Sequence, residues 1–377
     1  MSLAVGLLLF LALAALAYAN GANDVSKGVA TLVGSGTSRY RQALVWGTAW
    51  TAAGSLAAGI FSQALIDTFS KGIIGPHHQM SGTFLLAALI GAIIWVLLAT
   101  WTGLPVSTTH AITGALCGAA VVAFGWRGVL WTSLEHKVVF PLLFSPLVSL
   151  AGLWLLFPAL RAALGPLDRQ CACAEARLPV RSALTGIALG DAALPAVRVV
   201  IDHVDNCRAR TTTIAGIEIG DGLHWISSGL TSFARGLNDA PKIAALGVVP
   251  ALTLGRDTTL LFILVALAMV FGSLKTGRRV TETLAEKITP MSTVEGLSAN
   301  LVTGFLVAFA SHWGLPVSTT HVSAAAIMGI GLHRNERVVR WKTVWSMLQA
   351  WVITLPACAA LGGASWWILE TILRSEM

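Results

Sequence analysis

Seven apolar runs, at residues 2–19, 43–66, 83–100, 138–160, 258–274, 297–313 and 344–370, decide the fold class of this chain. Each is close to or above the length of about 20 residues with which a helix crosses a bilayer. Hydrocarbon offers no partner to backbone N–H and C=O groups, so such segments satisfy them internally, as helices. Of the 377 residues, 55% are hydrophobic and 11% charged, with a mean hydropathy of +0.74. A soluble domain carries about 25% charged residues, which excludes a large soluble enzyme. Gly is abundant (37) and mixed with Ala and Ser, as close helix packing in lipid requires. Trp126, Trp131, Trp341 and Trp345 lie near the ends of runs, where an interfacial belt is expected. The chain reads as an all-α, polytopic integral membrane protein.

The first run ends in Ala17-Tyr18-Ala19, which fits a signal-peptidase site, but no Lys or Arg precedes it. The motif that follows recurs deep inside the chain, so the run is expected to stay as a helix. The formal charge of +7 follows topology and is no footprint of nucleic-acid binding. With the N-terminus outside, the loops at 35–42, 161–222, 275–290 and 334–342 face the cytoplasm and hold 17 of the 25 Lys and Arg. The opposite loops and the C-terminal tail hold 5. This is the positive-inside bias of a multi-pass plasma-membrane protein with both termini outside and the central loop inside.

The chain also repeats itself. Asn23-Asp24 and Asn238-Asp239 lie 215 residues apart, as do Asp67-Thr68 and Glu282-Thr283. The octapeptide GLPVSTTH occurs at 103–110 and again at 314–321. Three matches in one order indicate a duplication: residues 1–160 form one transmembrane repeat and 223–377 the other. A polar cytoplasmic linker, 161–222, joins them. The loop 67–82 carries one Lys, whereas its counterpart 275–290 carries Lys275, Arg278, Arg279 and Lys287. The copies are therefore expected to have inverted topology, with interrupted helices or re-entrant segments meeting at the midplane, as in many secondary transporters.

In GLPVSTTH, Gly103 and Pro105 end a helix and the next begins near His110. Ser107, Thr108 and Thr109 then sit at a helix N-terminus, with amides and hydroxyls suited to an oxyanion. Ser318, Thr319 and Thr320 supply the second copy. For one copy alone ordinary capping would suffice; two identical copies favour a site. His110 and His321 would orient these loops. A carboxylate within the membrane marks a functional site, so Asp24 and Asp239 could take a proton-bearing oxygen of hydrogen phosphate, which sulfate lacks. Asn and Asp oxygens also suit a hard cation such as Na+.

At these motifs, GAND at 21–24, GLND at 236–239 and both copies of GLPVSTTH, the sequence resembles the inorganic phosphate transporter (PiT) family, across both halves. The resemblance implies cation-coupled phosphate transport by symport, with no tightly bound cofactor. It assigns phosphate to Asp24, Ser107, Thr108, Thr109, Asp239, Ser318, Thr319 and Thr320. Asn23 and Asn238 would serve the coupling cation, Na+ or H+. One departure stands out: where the family has roughly GANDVANA, this chain places Lys27 and Lys242 three residues after each Asp. Each ammonium is expected either to replace a bound Na+, making coupling protonic or absent, or to pair statically with its Asp. Arg235 has Asn20 as its counterpart and either bridges to Asp239 or contacts phosphate. Asp67 and Glu282 bind a cation or pair with nearby charges.

The linker contains Cys171, Cys173, Asp202, His203, Asp205 and Cys207. A cytosolic loop disfavours disulfides; Cys171, Cys173, His203 and Cys207 either remain free thiols and a free imidazole or hold a metal, although the spacing is not that of a standard zinc motif. The stretches AVRVVIDH and TTTIAGIEIG favour strands. Cys117 and Cys358 lie in apolar runs as packing residues. The expected partners are phosphate and the lipid bilayer, with homo-oligomerisation left open. Three alternatives remain: a permease for sulfate or another tetrahedral oxyanion, an intramembrane hydrolase using Ser107 and His110, and a receptor driven by the linker cysteines.

Overall fold

The computed structural model describes residues 3–176, 197–210, 213–253, 255, 257–334 and 338–375. The first repeat comprises α1 (Leu3–Asp24), α2 (Ser26–Gly34), α3 (Tyr40–Phe61), α4 (Gln63–Lys71), α5 (Gly82–Thr102), α6 (Thr108–Phe124), and α7 (Trp131–Leu134), which runs through a π-helical segment into α8 (Phe140–Leu164). The linker holds β1 (Gln170–Ala176), β2 (Val197–His203), α9 (Val204–Ala209) and β3 (Thr213–Glu218). The second repeat comprises α10 (Ile219–Thr253), α11 (Thr258–Thr276), α12 (Arg278–Glu286), α13 (Thr293–His312), α14 (Thr319–Arg334) and α15 (Trp341–Ser375).

Over their described residues the seven apolar runs are helical apart from Ser62, between α3 and α4, and Trp313, just past α13. Among the described residues, seven helices are long and apolar enough to cross a membrane. Their outward faces carry Leu11, Ile60, Leu155, Phe305 and Val352, each more than three-fifths exposed, as a lipid-facing surface requires. The two strand-prone stretches form β2 and β3, which flank β1 in an antiparallel sheet of order β2-β1-β3. Residues 177–196 and 211–212 of the linker lie outside the described residues.

The two repeats are exchanged rather than side by side. In each, the first long helix packs on the second helix of the other repeat: α1 on α11, and α10 on α3. Likewise α15 packs on α6, and α8 on α14. Glycine permits the closest of these approaches. A Cβ at Gly21 would lie 2.1 Å from the Met269 carbonyl oxygen, and one at Gly236 would lie 2.4 Å from that of Thr51.

The motif helices differ in one respect from expectation. In the first repeat the chain is interrupted at Val25, where Ser26 Oγ donates to the Asn23 carbonyl (2.9 Å) and competes with the helical ladder. In the second, Pro241 occupies the place of Ser26, yet α10 runs unbroken through it. Pro241 has no N–H for the Leu237 carbonyl; Ser62 Oγ donates to that carbonyl instead, at 2.9 Å. The proline is accommodated by a neighbouring helix end.

The outer parts of α1 and α10 also differ. Leu9, Leu13 and Leu16 of α1 are fully buried in apolar surroundings. With the 215-residue offset, their counterparts on α10 are His224, Ser228 and Thr231, which are equally buried. There the contacts are polar: Ser228 Oγ donates to the Gly28 carbonyl (2.6 Å) and Thr231 Oγ1 to that of Asn300 (2.9 Å).

Candidate substrate site

Each GLPVSTTH segment joins two antiparallel apolar helices, α5 to α6 and α13 to α14. Gly103 and Gly314 adopt left-handed φ values of +77° and +68°, and Pro105 and Pro316 keep the following chain extended. Ser107 caps α6, its Oγ accepting from the His110 amide (3.2 Å). Ser318 does the same for His321 (3.2 Å). The two loops then bind each other reciprocally. Thr109 Oγ1 donates to the Val317 carbonyl (3.5 Å), and Thr320 Oγ1 donates to the Val106 carbonyl (2.7 Å). The two copies of the octapeptide thus make matching bonds to each other. His110 and His321 face each other at a ring separation of 4.8 Å.

The Asn-Asp helices meet the loops from the side. Asn23 Nδ2 donates to Thr100 Oγ1 and to the Leu104 carbonyl, both at 3.1 Å, and Asn23 Oδ1 accepts from the Val106 amide (3.2 Å). Asn238 Nδ2 donates to the Val317 carbonyl (3.1 Å), and its Oδ1 accepts from Ser311 Oγ (3.3 Å). Both asparagines thus hold the loops in place. Their amides are largely committed to that task, which leaves little for the cation role expected of them.

The carboxylates converge through a residue the sequence reading did not select. Asn20 Nδ2 lies 3.1 Å from Asp24 Oδ2, 3.0 Å from Thr108 Oγ1 and 3.3 Å from Asp239 Oδ2. Two N–H groups cannot fully serve three acceptors, so the carboxylates retain capacity for a further donor. Lys27 pairs with Asp24 and also donates to Asn23 Oδ1 (3.2 Å). Lys242 lies 3.6 Å from Asp239 and touches both loops, donating to Thr109 Oγ1 of the first copy (2.7 Å) and to the Val317 carbonyl of the second (2.9 Å). All of these side chains are buried.

Arg235 is different. It is 1% exposed, yet none of its three guanidinium nitrogens has a hydrogen-bond partner among the described residues. It stands one turn before Asp239 and is electrostatically coupled to Asp239 and Asp24. Its repeat counterpart, Asn20, closes on Asp24 and Thr108, whereas Arg235 closes on nothing. The bland expectation of an Arg235–Asp239 bridge is not met.

Asp67 and Glu282 stand apart from this cluster and take the second of their two expected roles, pairing with nearby charges: Asp67 on α4 with Lys71 (3.2 Å) and Glu282 on α12 with Arg278 (2.8 Å). The neighbouring threonines explain why that segment recurs. Thr68 Oγ1 donates to the Gly314 carbonyl (3.4 Å) and Thr283 Oγ1 to the Gly103 carbonyl (2.9 Å). Each latches the turn of the other repeat's loop. Ser107 and His110 do not form a nucleophile–base pair: Ser107 accepts from the His110 backbone, and His110 Nδ1 has no hydrogen-bond partner among the described residues.

The Phosphate transporter family matches residues 20–362. The chain belongs to that family. It is 28% identical over 385 residues to a protein of Mycobacterium tuberculosis described as a probable low-affinity inorganic phosphate transporter, covering 99% of this chain and 80% of that one. It is 29% identical over 415 residues to the chloroplastic inorganic phosphate transporter 2-1 of Arabidopsis thaliana, covering 94% of this chain and 70% of that one. A solved structure of a sodium-dependent phosphate transporter superposes with a TM-score of 0.78 at 24% identity, over 98% of this chain and all of that one. Members of this family are transporters rather than enzymes. The seven long apolar helices are those of a multi-pass membrane member.

Proposed function

We propose that this chain carries inorganic phosphate across the membrane by alternating access, binding it among Asp24, Asp239, Arg235 and the two Ser-Thr-Thr loops. The observation that carries the reading is the unpartnered, buried guanidinium of Arg235. An unpaired charge in such a place costs several kcal/mol, and a tetrahedral oxyanion satisfies it with charge-assisted hydrogen bonds. The spare acceptor capacity on Asp24 and Asp239 selects an anion that also brings a proton, which favours phosphate over sulfate.

The repeats are inverted, the linker is cytoplasmic and the termini external; the distribution of Lys and Arg supports this orientation. Coupling is protonic or absent rather than sodium-dependent. Lys27, Lys242 and Arg235 set against Asp24 and Asp239 leave one net positive charge in the cluster. A dihydrogen phosphate monoanion neutralises that charge with no bound Na+.

The test is phosphate uptake into proteoliposomes under separately imposed Na+ and proton gradients, with sulfate as competitor. Saturable uptake in choline medium, resistant to sulfate, is expected. A strict Na+ requirement would overturn the coupling assignment alone. Absence of phosphate uptake under every imposed gradient, or equal competition by sulfate, would overturn the substrate assignment.

A further inference from the structure

The linker is a small unit with an unusual interior. Among its described residues before α10, the fully buried side chains are Cys171, Cys173 and Cys207. On the other face of the sheet, Val197, Val199, Ile201 and Ile217 are all more than half exposed. A three-stranded unit of this size has too little apolar burial to hold itself together and ordinarily needs a covalent or metal staple.

The staple's parts are in place. Cys171 and Cys173 are two residues apart on β1, so both side chains project to one face. Cys207 comes down on them from α9. The three sulfurs all lie within 4.8 Å of one another; Cys171 and Cys173 are 3.0 Å apart, and Cys207 abuts both. One sulfur cannot bond covalently to two others, so a disulfide would leave a buried thiol over. Three sulfurs around one point are instead the donor set of a thiophilic metal. His203, the fourth ligand anticipated from the sequence, is not in the group: its Nδ1 faces Asp205 at 3.2 Å on the exposed side.

We propose that Cys171, Cys173 and Cys207 bind a thiophilic d10 cation, Zn2+ or Cu+, as a three-thiolate structural centre of the linker. Soft thiolate donors select such ions over Mg2+ or Ca2+. Arg208 and Arg210 border the unit, paired with Glu218 (2.6 Å) and Glu175 (2.5 Å). Because β3 passes directly into α10, the helix carrying Arg235 and Asp239, the centre would also anchor the base of that helix.

The experiment uses the full-length protein, expressed in cells and isolated under reducing conditions. Metal content per chain is measured, with Zn2+ and Cu+ quantified separately, followed by Cd2+ titration monitored by sulfur-to-metal charge transfer. About one metal per chain is expected for the parent and for the Cys117→Ser and Cys358→Ser controls, with at least tenfold weaker binding in Cys173→Ser and Cys207→Ser. Metal content unchanged in the latter two would overturn the proposal. So would a Cys207 disulfide found in protein alkylated immediately on lysis. Phosphate uptake retained by Cys173→Ser shows that a loss of metal reflects a lost ligand rather than a misfolded chain; Cys173→Ser that loses uptake but keeps its metal would overturn the proposal.

Discussion

Arg235 and Asn20 occupy equivalent positions, and their difference divides the site into a closed half and an open one. Asn20 donates to Asp24 and Thr108 within the protein, while Arg235 has no hydrogen-bond partner among the described residues. A buried charge kept for a substrate lowers the stability of the ligand-free protein. Arg235→Gln is therefore expected to raise the melting temperature without phosphate and to abolish the gain that phosphate gives the parent. Its KM for phosphate should rise roughly 10- to 100-fold, in line with about 1.5–3 kcal/mol for hydrogen bonds to a charged group. Uptake kinetics and thermal scans with and without phosphate check both halves; an unaltered KM would remove Arg235 from the site. The importance of Asn20 was within reach of the sequence, since the repeat pairs it with Arg235. Nothing in the sequence showed, however, that one small amide touches both carboxylates, because that contact joins residues 219 apart.

At the level of elements, the motifs were legible and their mechanical partners were not. Hydropathy found the seven long apolar helices, but it passed over α10, whose Asp221, Arg235, Asp239 and Lys242 dilute the apolar signal of a 35-residue helix. The internal repeat marks that helix where hydropathy does not. The repeat marked Asp67 and Glu282, which pair with nearby charges, without showing that the contacts to the opposite loop come from the adjoining Thr68 and Thr283. A hydroxyl that latches a distant turn leaves no trace in composition. The glycine of each Asn-Asp motif has a purely steric duty as well. Gly21→Ala forces a methyl group against the Met269 backbone and separates α1 from α11; overpacking of this kind costs about 1–3 kcal/mol. Thermal denaturation in detergent should register it, with Gly165→Ala as a control, since nothing lies within 4 Å of a Cβ there. Equal melting temperatures would contradict the close packing of these helices.

Across the whole molecule, each repeat completes the other, from the exchanged helices to the two loops that bond reciprocally at the centre. That exchange could not be read from the chain, because spacing reveals a duplication but not which copy a helix packs against. Within it, the pair of helix ends that carry leucine on one side and hydroxyls and imidazole on the other has a further consequence. The buried packing around His224, Ser228 and Thr231 offers water hydrogen-bonding groups that the apolar packing around Leu9, Leu13 and Leu16 lacks. Single cysteines report the difference: a membrane-permeant, water-dependent thiol reagent should label Ser228→Cys readily and Leu13→Cys slowly, and equal rates would count against it. Under alternating access, two halves built alike would then wet unevenly, sooner beside α10 than beside α1.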